Sequence, residues 1–83
     1  MLYLAEFYLP EGTALAAVAR RARAGAAEAA GAGAEVRFVR AIFVPQDENC
    51  FAFYRAGSAR EVAAAGTLAG LVFDRIVIAV SQP

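Results

Sequence analysis

Histidine, lysine and tryptophan are absent from this 83-residue chain, and cysteine occurs once. Without histidine the chain lacks the commonest general base and the commonest transition-metal ligand. No Ser/His/Asp or Cys/His nucleophile set can be built. One cysteine excludes an internal disulfide and fits a reducing compartment. Charge of a dominant sign is missing too: eight arginines face eight acids, so no long-range field draws the chain to nucleic acid or anionic membrane. The longest apolar stretch, Val62 to Val80, is interrupted by Gly66, Gly70 and Asp74-Arg75, whereas a spanning helix needs about 20 apolar residues. No basic residue precedes the first apolar run and Glu6 sits inside it, which argues against a secretory signal. The expected partners therefore exclude nucleic acid and membrane, and the expected location is the cytoplasm.

What is present is hydrophobic: 60% of the residues, with alanine supplying much of the excess. A chain of this length is expected to be one domain, residues 1–83, burying roughly 60–65% of its unfolded surface. The rest is organised around Glu35 to Ala56, EVRFVRAIFVPQDENCFAFYRA. Two runs rich in β-branched and aromatic residues flank the polar turn Pro45 to Asn49, which predicts a β-hairpin with strands near Glu35–Val44 and Cys50–Ala56.

Before the hairpin, Met1 to Leu9 reads as a strand ended by Pro10-Glu11-Gly12. Thr13 is the expected N-cap of a helix running to about Ala30, with Gly31-Ala32-Gly33 as its stop. Leu15, Val18, Ala22 and Ala29 form its apolar stripe, and Gly25 weakens it by about 1 kcal/mol relative to alanine. After the hairpin, Ser58 and Glu61 have capping-box spacing for a second helix, Ala59 to Leu68, with Val62 and Ala65 or Leu68 buried. A last apolar strand spans about Phe73 to Val80 and reads as an inner strand.

The order β-α-β-β-α-β with two right-handed crossovers around a hairpin defines an α+β, ferredoxin-like βαββαβ sandwich. Its four-stranded antiparallel sheet has the expected order 4-1-3-2, with both helices on one face. Strict alternation then assigns Tyr3, Ala5, Phe7, Val39, Ala41, Phe43, Ala52, Tyr54, Ile76 and Ile78 to the helix side. The open face receives Leu4, Glu6, Tyr8, Val36, Phe38, Arg40, Ile42, Phe51, Phe53, Arg55, Arg75 and Val77. A bare face this apolar implies a cover, and the expected one is a second copy in a sheet-to-sheet homodimer, a dimeric α/β-barrel-like assembly or higher.

Glu6 is the sole acid of that face, and Arg40, Arg55 and Arg75 are its cationic neighbours. Buried, such charges must be paired. One reading is an ion-pair network across the dimer. The other is an interface cleft in which Glu6, Tyr8, Arg40, Arg55 and Arg75 surround a small anionic ligand, a carboxylate or phosphate. No catalytic residue is assigned. Asp47, Glu48 and Cys50 cluster in the hairpin turn and have oxygen and sulfur donors. A turn with two acids reads first as solvated and a lone cysteine as a small core residue, so no metal ligand is assigned there. Phe51 and Phe53 followed by Arg55 faintly echo the third strand of RNA-recognition domains. Neutral charge and the missing basic-glycine opening argue against that function.

Several short features coincide with a known pattern. They are Glu6 ahead of Pro10, the Phe38-Val39 pair, the exit Tyr54 to Ala56 before a capped helix, and Gly70-Leu71 leading into Asp74-Arg75-Ile76. Over nearly its whole length the chain resembles the short bacterial ferredoxin-like proteins described as nickel-binding or of unknown function. The resemblance implies the same fold and, through a Glu-His pair in the second helix, a role for nickel. By ungapped counting those two positions are Ala64 and Ala65, so no metal residue carries over and nickel as a cofactor rests on the resemblance alone. The leading expectation is a non-enzymatic binding or assembly protein. The alternative is a cofactor-free monooxygenase or isomerase of the dimeric α/β-barrel type, working in the same cleft.

Overall fold

The computed structural model describes all 83 residues. The chain runs β1 (Leu2–Tyr8), α1 (Leu15–Gly31), β2 (Val36–Val44), β3 (Asn49–Ala56), α2 (Ala59–Leu68) and β4 (Arg75–Ile78), with one 3₁₀ turn at Pro45–Asp47 in the hairpin. The sheet order is β2-β3-β1-β4, every neighbouring pair antiparallel. Read from the other edge this is the expected 4-1-3-2. Both crossover helices pack on one face, where Tyr3, Ala5 and Phe7 of β1 and Cys50, Ala52, Tyr54 and Ala56 of β3 meet Val18, Ala22, Ala26, Ala29, Val62 and Ala65.

Small side chains in mid-strand and mid-helix let the layers approach closely. The limit is reached at Gly25, read from the sequence only as a weak point of α1. A Cβ there would lie 2.6 Å from the carbonyl oxygen of Ala65 and 2.8 Å from the amide nitrogen of Ala69, so glycine is what allows α1 to rest on α2. Where α2 ends, Gly70 takes a positive φ of 71°. The Gly70 and Leu71 amides then donate back to Thr67 and Gly66, closing the helix in the Schellman manner. The carbonyls of Ala69 and Gly70 are claimed by Arg21 of α1, at 3.1 and 2.9 Å. One guanidinium thus caps the negative end of the other helix.

Four expectations are corrected. Thr13 is not the cap of α1: its hydroxyl donates to the Pro10 carbonyl, and Ala14 occupies the N-cap position with no side-chain bond. Ser58 does cap α2, but Glu61 does not accept the Ser58 backbone amide as a full capping box requires. The Ser58 hydroxyl donates to Glu61, whose other carboxylate oxygen accepts the Glu35 amide at the threshold of β2. β4 stands at the edge where the expected order puts it, despite its apolar inner-strand look, and has four residues rather than Phe73 to Val80 because Leu71 to Asp74 are spent in the approach to the sheet.

The largest correction concerns β2. Phe38 pairs with Tyr54 and Arg40 with Phe53, so Val39 is the extra residue of a β-bulge. A one-residue insertion reverses the alternation. Val36 and Phe38, expected on the open face, are buried on the helix side, and Arg23 of α1 lies over the Phe38 ring at 5.3 Å. Val39, expected inside, is exposed. Beyond the bulge Ala41 and Phe43 face the core and Arg40 and Ile42 the open side, as alternation implies.

Candidate functional site

The open face is assembled from the outward residues of all four strands. Cross-strand pairing fixes its layout: Glu6 lies between Phe51 and Arg75, Leu4 between Phe53 and Val77, and Leu2 beside Arg55. The middle is apolar and incompletely covered, with Leu4, Phe51, Phe53 and Val77 half-buried and Ile42 46% exposed.

The five residues expected to share a cleft fall into two groups. At the hairpin end, Glu6 accepts a hydrogen bond from Asn49 Nδ2 at 2.9 Å and meets Arg75 Nε at 3.7 Å. The Arg75 side chain is 62% exposed and that of Glu6 29%, so water screens the pair and its contribution to stability is small. Tyr8, opposite Asn49, belongs to this end and points largely into solvent. At the other end, Arg40 and Arg55 line an open concavity of about 360 Å³ with Leu2, Val39, Phe53 and Ser81. Leu2 and Glu6 are four strand residues apart, so the two groups are separated by roughly 13 Å within one chain.

Three polar residues escape a reading by composition and strict alternation. Asn49 is the partner that fixes Glu6. Arg21 is the helix clamp described above. Arg37, which alternation puts inside, stands directly opposite Arg55 because of the bulge. Its signal in the sequence is the spacing of Arg37 and Arg40: two arginines three apart share one face of a strand only if a residue between them is extruded.

The reactive groups on the helix side are shut away. The Cys50 thiol is buried, and loss of solvent pushes its pKa up despite a backbone hydrogen bond at Phe51. Tyr54 is fully buried between Phe38 and Phe73, at ring distances of 5.6 and 6.0 Å. Its hydroxyl has no hydrogen-bond partner, and burial first, with the nearby Cys50 second, pushes its pKa to about 12. Glu48 is occupied as well, accepting the Glu11 amide at 2.8 Å. Asp47, Glu48 and Cys50 therefore do not converge, and no group of three or more His, Cys, Asp or Glu residues is placed to hold a metal ion.

An antiparallel βαββαβ sheet with its helices on one side and its other face bare is the ferredoxin-like class of small α+β protein. Within that class the chain belongs to the SCO4226-like family: the family model described as "Nickel responsive protein SCO4226-like" matches residues 3–78. The crystal structure of SCO4226 from Streptomyces coelicolor A3(2) aligns with a TM-score of 0.80, covering 99% of this chain and 100% of that one at 18% identity. Identity at that level carries the fold alone. No curated protein matches. The residues here do not fit a nickel site within one copy: imidazole is absent, the thiol faces the core, and Glu6 is on the opposite side of the sheet. Ala65, where the resemblance implies half of a metal-binding pair, is fully buried against α1, where an imidazole has no room.

Proposed function

We propose that this chain is a non-enzymatic binding and assembly protein whose open sheet face is closed by a second copy, with a small anion held between the sheets. The observation that supports it is the composition of that face, an apolar centre with the Glu6–Arg75 pair toward one end and the unpaired Arg40 and Arg55 toward the other. A two-fold axis lying between two such sheets and running across the strands at the Leu4–Phe53 level sets the Glu6–Phe51 row of one copy over the Leu2–Arg55 row of the other. Leu4, Phe53 and Val77 then meet at the centre. Glu6 of each copy then lies one strand away from Arg55 of the other, an opposite-charge contact that the two-fold makes twice. Four strands about 4.8 Å apart and some seven residues long give roughly 450 Å² in projection before side-chain relief is added. That approaches the ~800 Å² of accessible surface per partner in a standard interface.

Nickel responsiveness is what the family description states, and this chain supplies no ligand set for it inside one copy. The arginines supply the opposite chemistry, recognition of anions. Sedimentation velocity at tens of micromolar tests the assembly: a dimer is expected, and Phe53→Glu is expected to give a folded monomer. A wild-type chain that sediments as a monomer overturns it.

A further inference from the structure

The open face carries four arginines, Arg37, Arg40, Arg55 and Arg75, against one glutamate. Arg75–Glu6 is the one ion pair in the chain. Glu6 is also held by Asn49, so a partner's Glu6 brought over the basic end arrives already engaged. Arg37 and Arg55 are a directly opposed cross-strand pair, and like charges so placed destabilise a sheet. The bulge brings Arg37 onto the face that Arg40, opposite Phe53, already occupies. An uncompensated cluster on adjacent strands, beside a concavity, is an arrangement that a bound anion relieves.

We infer that the concavity lined by Arg40 and Arg55, flanked by Arg37, binds the dianionic phosphate group of inorganic phosphate or of a phosphate monoester. A monocarboxylate satisfies one guanidinium fork, whereas a phosphate dianion has oxygens enough for two and charge enough to offset both. Ser81 at the rim adds a hydroxyl donor, and Leu2, Val39 and Phe53 offer an apolar floor on which the organic part of an ester rests. Arg37 contributes less, since it also borders the groove between β2 and α1. The inference rests on reading the open face as a binding surface, but each arginine belongs to a single copy.

The test is titration of the full chain with inorganic phosphate and, separately, phenyl phosphate, each against sodium chloride of equal ionic strength. Thermal unfolding and the arginine Nε–H NMR signals are followed. Phosphate is expected to raise the melting temperature beyond the chloride control and to move the signals of Arg40 and Arg55 but not of Arg20. Arg40→Gln and Arg55→Gln are expected to weaken binding at least tenfold, Arg37→Gln less, and Arg20→Gln not at all. In phosphate-free buffer Arg55→Gln is expected to be no less stable than wild type, because the opposed pair is gone. Tighter binding of phenyl phosphate than of inorganic phosphate identifies an ester as the natural form; equal binding identifies the free ion. A chloride response equal to that of phosphate overturns the inference, as do unmoved Arg40 and Arg55 signals. Sedimentation of the same samples separates the two readings. A dimer indifferent to phosphate removes the anion site and leaves the assembly, whereas a phosphate-responsive monomer does the reverse.

Discussion

The two faces of the sheet draw on the same small set of residue types yet end in different surroundings. On the helix side Ala5, Ala52 and Tyr54 are sealed, and nothing polar is buried with them except the Tyr54 hydroxyl and the Cys50 thiol. One residue along each strand, Leu4, Phe51 and Phe53 are half-covered and share their face with charges. The helix side is finished by the chain itself, through alanine and glycine positions that let helices settle closely. The open side has large apolar groups and surplus cations, which a helix layer does not tolerate and an outside partner or ligand does. Stability therefore resides on the helix face, and the proposed binding falls on the other.

The strongest way to probe that division is alkaline pH. Tyr54 ionises near its ordinary value of 10 when unfolded and at about 12 when folded, so the native core favours the neutral phenol. The stabilisation is complete below pH 10 and is lost as pH rises toward 12, about 3 kcal/mol in all. Denaturant unfolding across that range is expected to show the loss, and Tyr54→Phe to reduce it while leaving neutral-pH stability within about 1 kcal/mol of wild type. A tyrosinate absorbance titration in which all three tyrosines ionise together near pH 10 contradicts the sealed core.

Gly25→Ala comes next. The added methyl meets the backbone of α2, which cannot rotate aside, and overpacking outweighs the gain in helix propensity by about 2 kcal/mol. Urea unfolding checks it, and an unchanged midpoint means that the helices are not in close contact. The smallest effect on folding is expected from Leu4→Gln on the open side, about 1 kcal/mol or less in dilute solution. Its larger consequence is weakened self-association, so concentration-dependent unfolding separates the two contributions. If Leu4→Gln costs as much as Gly25→Ala at low concentration, the open face is structural after all.

Element order, hairpin and sheet order were legible because period-2 runs, turn residues and the Ser58 cap agree with one another. The parity of β2 was not. The Arg37–Arg40 spacing is the bulge's one trace, and Val36 to Phe43 otherwise reads as an unbroken strand whichever residue is extruded. That single insertion moved Val36 and Phe38 to the core and brought Arg37 to the open face. Arg40, Arg55 and Glu6 were legible as open-face charges, but their division into two ends depends on cross-strand register, which intrastrand spacing does not encode. Gly25 looked like a defect because helix propensity is local, whereas its reason is a helix distant in sequence. Thr13 had the right chemistry for a cap, but its hydroxyl donates to the Pro10 carbonyl and the helix begins only after Ala14.

The bulge has one more consequence, for growth rather than for recognition. β2 and β4 are the sheet's two edges. The first is interrupted after Phe38 and the second is only four residues long. Neither offers a long, flat ladder of free amides and carbonyls onto which another chain might add. Lateral extension into a continuous sheet is therefore blocked at both borders. A two-fold contact through the open face covers that surface on both copies at once, so it closes as a pair.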